Sequence, residues 1–338
     1  MAARDKKLAE IGEDELVEII LKYLDPPKPY EHLPPGDDAR DFLPRGPKQV
    51  FSTDAYSFSS LMLPWRTWRD AGWAGVVGCI SDHFSKGSIP DIAMVSLGLS
   101  PSMSLGDFVE LIEGIREALT YYRVVYGGGD LNSSSDPWIS TSIVGFTTAK
   151  KPPRRYGARP GDKIVVTGRY GAMGIVSIDG VEEASRYKWV VEATRRPKPQ
   201  VEASIVIATH YRWIDASMDV SDGLSYTIHL MAKGSGLSAR IDSPPLHYEE
   251  LDEFCRDKKD PERCVIERCL AGGEEYGVVL ALPEKYVGEV TSYMDMYGVP
   301  YKVIGEFIDG GEPGKIYWRG REISVVGWDQ FRGWSSHS

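Results

Sequence analysis

Val124-Val125-Tyr126-Gly127-Gly128-Gly129-Asp130 is the stretch on which the fold turns. Two valines and a tyrosine favour a strand, three glycines in a row signal a turn, and an aspartate follows where backbone can come close to a ligand. Before it, Leu105 to Tyr122 repeats apolar residues at helical spacing, and after it Trp138 to Thr147 alternates as a strand does. Further upstream the pattern predicts a helix over 11–24, a strand over 49–53, a helix over 65–80 and a strand over 91–99. It resumes downstream with a strand over 163–167, helices over 222–233, 261–270 and 284–296, and strands over 277–282 and 301–307. Strands alternating with helices define a mixed α/β (α+β) chain. Basic and proline residues crowd together at Lys150-Lys151-Pro152-Pro153-Arg154-Arg155, which reads as a linker between domains over 1–150 and 151–338.

The 338 residues suffice for two such domains, and 42% hydrophobic with 26% charged residues is the make-up of a soluble protein able to bury a core. A formal charge of −10 argues against nucleic acid gripped by its backbone, and suits a protein that meets polyanions through divalent cations. No run of about eighteen apolar residues occurs, and Met1 to Glu10 is charged rather than built as a signal, so the expected address is cytoplasmic, away from membranes. Cys79, Cys255, Cys264 and Cys269 are too few and too irregular for a disulfide framework or a zinc pair. They are read as packing residues, with a Cys255–Cys264 bridge left open, of the kind that occurs in hyperthermophile proteins.

Asp130 is one of a series. Short Gly/Ser-flanked phrases recur as Gly36-Asp37-Asp38, Ser52-Thr53-Asp54, Ser81-Asp82, Gly128-Gly129-Asp130 and Asp219-Val220-Ser221-Asp222-Gly223, each beside a predicted strand or helix end. Singly, each has a plain reading as an Asx turn or, for Ser221 and Asp222, a helix cap. If the carboxylates converge, each pair at ~4 Å costs on the order of 4 kcal/mol in an effective dielectric of ~20 unless something positive lies between. Acidic oxygens with Ser and Thr hydroxyls, and no Cys/His pair nearby, favour a hard cation such as Mg²⁺ shared with phosphates.

Other motifs admit two readings. The turn Gly168-x-x-Gly171-x-x-Gly174 could let amides approach a phosphate but lacks a Walker ending, so a structural strand-to-helix turn is equally expected. Gly272-Gly273-Glu274-Glu275-Tyr276 could bring backbone close to a ligand or simply precede a strand. Arg154 and Arg155 suit a bidentate phosphate contact or a solvated linker, and Trp328 could stack on a flat ring or pack the tail onto the body. The histidines form no metal pair and are expected to be structural.

Taken together, these phrases resemble those of the thiamine-monophosphate kinase family, part of the superfamily that also holds aminoimidazole ribonucleotide synthetase, selenophosphate synthetase and a hydrogenase-maturation enzyme. The resemblance runs from about Gly36 to Phe331 and adds Arg155-x-Gly157-Ala158-x-Pro160-Gly161-Asp162 and the ending Gly327-Trp328-Asp329-Gln330-Phe331. It implies a homodimer in which each N-terminal domain adds strands to a shared barrel, followed by a C-terminal α/β domain, with ATP as co-substrate and several Mg²⁺ ions. By the same resemblance Asp38, Ser52, Thr53, Asp54, Asp82, Asp130, Asp219 and Asp222 fall on metal ligands. Gly129, Asp130, Arg155 and Ser221 fall on ATP contacts, and Glu274 and Trp328 on positions that hold the thiamine moiety. Leu61 stands where the family usually has a substrate-contacting His, His83-Phe84-Ser85-Lys86-Gly87 replaces a small-residue helix, and Glu275 stands where Asp is common.

The expected reaction is Mg²⁺-assisted, in-line transfer of the γ-phosphoryl of ATP to thiamine monophosphate, with Asp54, Asp82 and Asp130 at its centre and Asp54 and Asp130 on the ATP phosphates. Two rivals are an enzyme of the superfamily that activates an amide oxygen or small nucleophile, and a nucleotide-binding regulator without turnover. The missing terminal Cys and missing N-terminal Cys–Lys pair speak against the first.

Overall fold

The computed structural model of the chain describes residues 4–37, 39–329, 331 and 333–337, with the backbone course alone at 334–337. The chain divides into two compact units, one of Met1–His83 with Ile89–Thr147 and one of Phe84–Ser88 with Thr148–Ser338.

The first unit is built on a four-stranded sheet of β1 (Lys48–Ser57), β2 (Ile89–Leu99), β3 (Val125–Ser133) and β4 (Trp138–Thr147), in the order β1-β4-β2-β3. β1 and β4 pair antiparallel from Lys48↔Thr147 to Ser57↔Trp138, whereas β2 and β3 run parallel and so need the crossover helix Leu105–Tyr121 between them. That helix starts where Ser104 accepts from the Asp107 amide at 3.1 Å, and it buries Phe108, Leu111, Ile112, Ile115 and Leu119. The helix Trp68–Ser85 packs beside it on small residues: a Cβ on Gly72 would overlap the Leu111 carbonyl, and one on Gly75 would stand 2.8 Å from Ile139 of β4.

Three expectations change here. Gly127-Gly128-Gly129 is not a turn, because β3 continues through it, with a register irregularity where Ala93 pairs Tyr126 and Met94 pairs Gly128. The glycines are there for close approach: a Cβ on Gly129 would overlap the Val95 carbonyl oxygen on β2. The helix expected to stop at Ile80 continues to Ser85, so Ser81-Asp82 is helical, and the breaker is Gly87 with φ +62. The single helix expected over 11–24 is two, Leu8–Ile11 and Glu13–Leu21, parted at Gly12.

The second unit carries a seven-stranded sheet of β5 (Lys163–Thr167), β6 (Ala216–Asp219), β7 (Ser238–Ile241), β8 (Val278–Leu282), β9 (Tyr301–Ile308), β10 (Ile316–Trp318) and β11 (Arg321–Ile323), in the order β11-β10-β7-β9-β5-β8-β6. β8 reads Val-Val-Leu-Ala-Leu and is buried throughout, as a central strand covered on both faces should be. Helices Val201–His210 and Glu284–Tyr297 supply Val206, Ile207, Val290 and Met294 to a core shared with Val165, Leu280 and Leu282. The chain ends in an antiparallel ribbon of β12 (Val325–Asp329) and β13 (Gly333–His337). Cys79 and Cys269 are buried free thiols, whereas Cys255 and Cys264 are joined in a disulfide with Cα atoms 5.7 Å apart. No helix among the described residues is long and apolar enough to cross a membrane.

Candidate active site

In the first unit, strand alternation sorts the Ser52-Thr53-Asp54 phrase onto two faces. Ser52 turns toward the helix Trp68–Ser85, where its hydroxyl donates to the Cys79 carbonyl at 3.2 Å and lies 3.0 Å from the Cys79 sulfur. Asp54 turns the same way, one carboxyl oxygen reaching to 3.2 Å from the point where a Gly78 Cβ would stand. Asp82 follows on the same helix face one turn later. Burial pushes the Cys79 thiol up, against the Ser52 hydrogen bond, and the Asp54 and Asp82 carboxylates push the same way as burial. Ser52 and Asp54 therefore face the Gly78–Cys79 stretch of the helix, with Asp82 one turn further along it. Thr53 faces the other side, its hydroxyl 2.9 Å from Ser142 Oγ, so its side chain is not part of that meeting.

Asp130 stands elsewhere. It is exposed on β3, its Oδ2 accepting from Asn132 Nδ2 at 2.7 Å, and the strand order puts β3 on the edge opposite β1. Three strand spacings make about 14 Å, whereas Mg–O bonds are about 2.1 Å. One ion does not link Asp54 to Asp130 across a single copy of this sheet. Gly128, Gly129 and Asp130 share instead a cleft of about 190 Å³ with Gly36, Asp37 and Arg40, walled by Leu21, Leu24 and Met94. Asp38 lies outside the described residues.

Arg40 fastens this acidic loop, donating to the carbonyls of Asp25 at 2.9 Å and Pro26 at 3.2 Å and to Glu31 Oε2 at 2.9 Å. The Arg40 and Glu31 side chains are both almost fully buried. Asp25 ties the same loop to β3, accepting at 2.7 Å from both Arg116 and the Tyr126 amide.

In the second unit, β6 ends at buried Asp219 and the chain passes through Ser221-Asp222 to the helix Leu224–Gly234. The capping role expected of Ser221 or Asp222 falls to Gly223, at φ +123, where a Cβ would stand 3.0 Å from the Val326 carbonyl oxygen. The Glu274 amide donates to the Ser221 carbonyl at 2.7 Å, and the Trp328 amide to the Asp222 carbonyl at 2.9 Å. Four residues expected at the site, Ser221, Asp222, Glu274 and Trp328, are thus neighbours. Tyr226 joins them, its side chain 2.8 Å from where a Gly327 Cβ would stand; burial pushes its phenol up, Asp222 and Asp329 add to that, and Arg155, which is exposed, opposes.

Two other expectations resolve structurally. Leu61 is 1% exposed and packs in the core of its unit, so it presents no side chain to a ligand. The Gly168–Gly174 turn is structural, because its amides are already taken: Glu275 Oε1 accepts from Gly171 at 2.8 Å and Met173 at 3.1 Å. Burial pushes the Glu275 carboxyl up to about 8, against the amides of Met173, Gly171 and Ala172, which favour the ionised form. Sequence reasoning met Glu275 as part of the Gly272–Tyr276 motif and as an odd substitution, without its bond to the Gly171 turn, and missed Arg40, Glu31, Gly78 and Tyr226. Gly78 carried a signal, a glycine inside an apolar helix, which marks a close approach.

Among the described residues no group of three or more His, Cys, Asp or Glu side chains could cage a metal alone. A pair of carboxylates with a hydroxyl, as at Ser52, Asp54 and Asp82, still fits Mg²⁺, which takes one or two protein carboxylates and completes its shell with water and phosphate.

Residues 36–147 match the family model described as AIR synthase related protein, N-terminal domain, and residues 159–317 the one described as AIR synthase related protein, C-terminal domain. These matches define the class, a two-domain chain of the AIR synthase related type. The thiamine-monophosphate kinase of Pyrobaculum calidifontis is 29% identical over 287 residues, covering 84% of this chain and 88% of that one. That of Methanopyrus kandleri is 30% identical over 282 residues, covering 82% and 86%. A solved structure, AaThiL complexed with AMPPCP and TMP, superposes with a TM-score of 0.69 at 24% identity, over 96% of this chain and 99% of that one. The chain belongs to the thiamine-monophosphate kinase family.

Proposed function

We propose that the chain transfers the γ-phosphoryl group of ATP to the phosphate of thiamine monophosphate, yielding thiamine diphosphate and ADP. The observation that carries this reading is the meeting of Ser221, Asp222, Glu274 and Trp328, in a chain whose relatives are thiamine-monophosphate kinases. A terminal phosphate oxygen of the acceptor attacks the γ-phosphorus while the bond to the β–γ bridging oxygen breaks, and ADP leaves. A phosphate monoester is largely ionised at neutral pH, so no strong general base is needed and positioning with charge neutralisation does the chemistry. Bound Mg²⁺ supplies the positive charge that lets two sets of phosphates approach. Asp54 and Asp82 would hold one ion with Ser52, Asp130 with Asp37 would hold another, and Asp219 and Asp222 would serve the second unit. Arg155 and Ser221 hold the nucleotide, and Glu274 and Trp328 hold the thiamine moiety.

The working form is proposed to be a homodimer. β1 is an edge strand whose Phe51 is 74% exposed, and Met94 on β2 is 39% exposed. A sheet edge with exposed apolar side chains on the adjoining face is the surface a second copy would cover.

The test is ADP release by purified protein with ATP, Mg²⁺ and a panel of acceptors. Release should depend on thiamine monophosphate and stay at background with thiamine, pyrimidine phosphates and inorganic phosphate. Equal release without any acceptor would defeat the reading.

A further inference from the structure

Three motifs that lie far apart in the chain are joined around Glu275, one through its side chain and one through the backbone on either side of it. Glu275 Oε1 accepts from the amides of Gly171 and Met173, at 2.8 and 3.1 Å, where the Gly168–Gly174 turn would otherwise hold an anion. On either side of Glu275 the backbone is left-handed, Glu274 at φ +50 and Tyr276 at φ +46, although neither is glycine. Such a conformation persists only where its surroundings enforce it. Here they do: Glu274 N donates to Ser221 O at 2.7 Å, Tyr276 N to Val220 O at 3.0 Å, and Val220 N returns a bond to Gly277 O at 2.9 Å. The fit is tight, since a Cβ on Gly272 would stand 2.8 Å from both Glu275 Oε2 and the Gly174 nitrogen.

We propose that Glu275 is a positioning residue for the acceptor side of the site: its carboxyl oxygen is a built-in acceptor for the Gly171 and Met173 amides and so fixes the strained strap 274–276 against Ser221 and Asp222. The functional half of this inference rests on the reading that Glu274 holds the thiamine substrate. A bound anion at the turn is excluded by the same contacts. Aspartate would fall about 1.5 Å short of the amides, whereas glutamine keeps an acceptor oxygen at the same reach.

The experiment uses the full chain with Glu275→Asp and Glu275→Gln, each first shown to melt cooperatively. Two quantities are read: KM for thiamine monophosphate and for ATP, and amide hydrogen exchange of the segment 272–277. Glu275→Asp should raise the acceptor KM at least about tenfold, leave the ATP KM within about threefold, and speed exchange at least about tenfold. Glu275→Gln should restore both to within about threefold of the native protein. Unchanged exchange and KM in a folded Glu275→Asp protein, or Glu275→Gln behaving no better than Glu275→Asp, overturns the proposal. Exchange needs no substrate, so it decides the role of Glu275 even where the native protein fails to turn over thiamine monophosphate, an outcome that counts against the kinase reading alone.

Discussion

Opening the Cys255–Cys264 disulfide should cost the second unit a measurable share of its stability. The bridge joins the helix Glu249–Cys255 to the helix Pro261–Ala271 across a sequence separation of 9. On the chain-entropy model, a loop of that length removes about 2.6 kcal/mol of conformational freedom from the unfolded state. In a unit of roughly 200 residues each kcal/mol moves Tm by about 2–4 °C, so the double variant Cys255→Ser/Cys264→Ser, or the native protein under a strong reductant, should melt about 5–10 °C lower. The helix that is released carries the bidentate Arg268–Asp179 pair, at 2.9 and 2.6 Å, and runs directly into Gly272-Gly273-Glu274. The acceptor KM should therefore rise along with the loss of stability. Scanning calorimetry with and without reductant reads the first effect. Alkylation of the denatured, unreduced chain checks the premise, with Cys79 and Cys269 reacting and the other two protected. A melting temperature within about 1 °C of the native value in the double variant would refute the reasoning.

Asp54→Asn and Asp82→Asn, whose carboxylates both bear on the Cys79 thiol, should each lower kcat by about 10³ or more in a coupled ADP assay, since a lost metal ligand forfeits several kcal/mol of transition-state stabilisation. Near-native turnover in both would remove them from the metal site. Trp328→Ala should raise KM for thiamine monophosphate more than KM for ATP, by the roughly 0.5–1.5 kcal/mol of a lost aromatic contact, and initial-rate kinetics with each substrate varied in turn would show an equal effect if the placement is wrong. Glu275 gives a pH dependence of definite sign. Its carboxyl is raised from 4.5 to about 8, so the stability it contributes is complete below the unfolded value, falls as pH rises, and is lost by about pH 8. Tm should decline across that window in the native protein and decline less in Glu275→Gln.

What could be read from the chain alone divides along a physical line. Elements fixed by their own periodicity, such as β4, β5 and the helix Leu105–Tyr121, stand where the pattern places them, because local burial of one face decides them. The triple glycine misled because a turn and a close strand-to-strand approach ask for the same residue, and only the neighbour, Val95 on β2, tells them apart. The meeting of Ser221 and Asp222 with Glu274 and Trp328 followed a resemblance rather than any local signal, since it is made by backbone bonds between segments distant in sequence. The separation of Asp54 from Asp130 was invisible for the complementary reason: both lie on strands, but strand order is a property of the whole sheet. Thr53 could have been set apart from Asp54 by strand alternation alone. Leu61 was given a ligand's position by analogy, whereas its apolar side chain belongs in the core.

The most direct measurement is product identity under metal control: thiamine diphosphate and ADP quantified together from ATP and thiamine monophosphate, first with Mg²⁺, then with excess chelator, then with Mg²⁺ restored. A kinase that works through its aspartates should form the two products one for one, stop when the metal is removed, and resume when it returns. ATP consumed without thiamine diphosphate appearing, or transfer that continues unchanged in chelator, would contradict it.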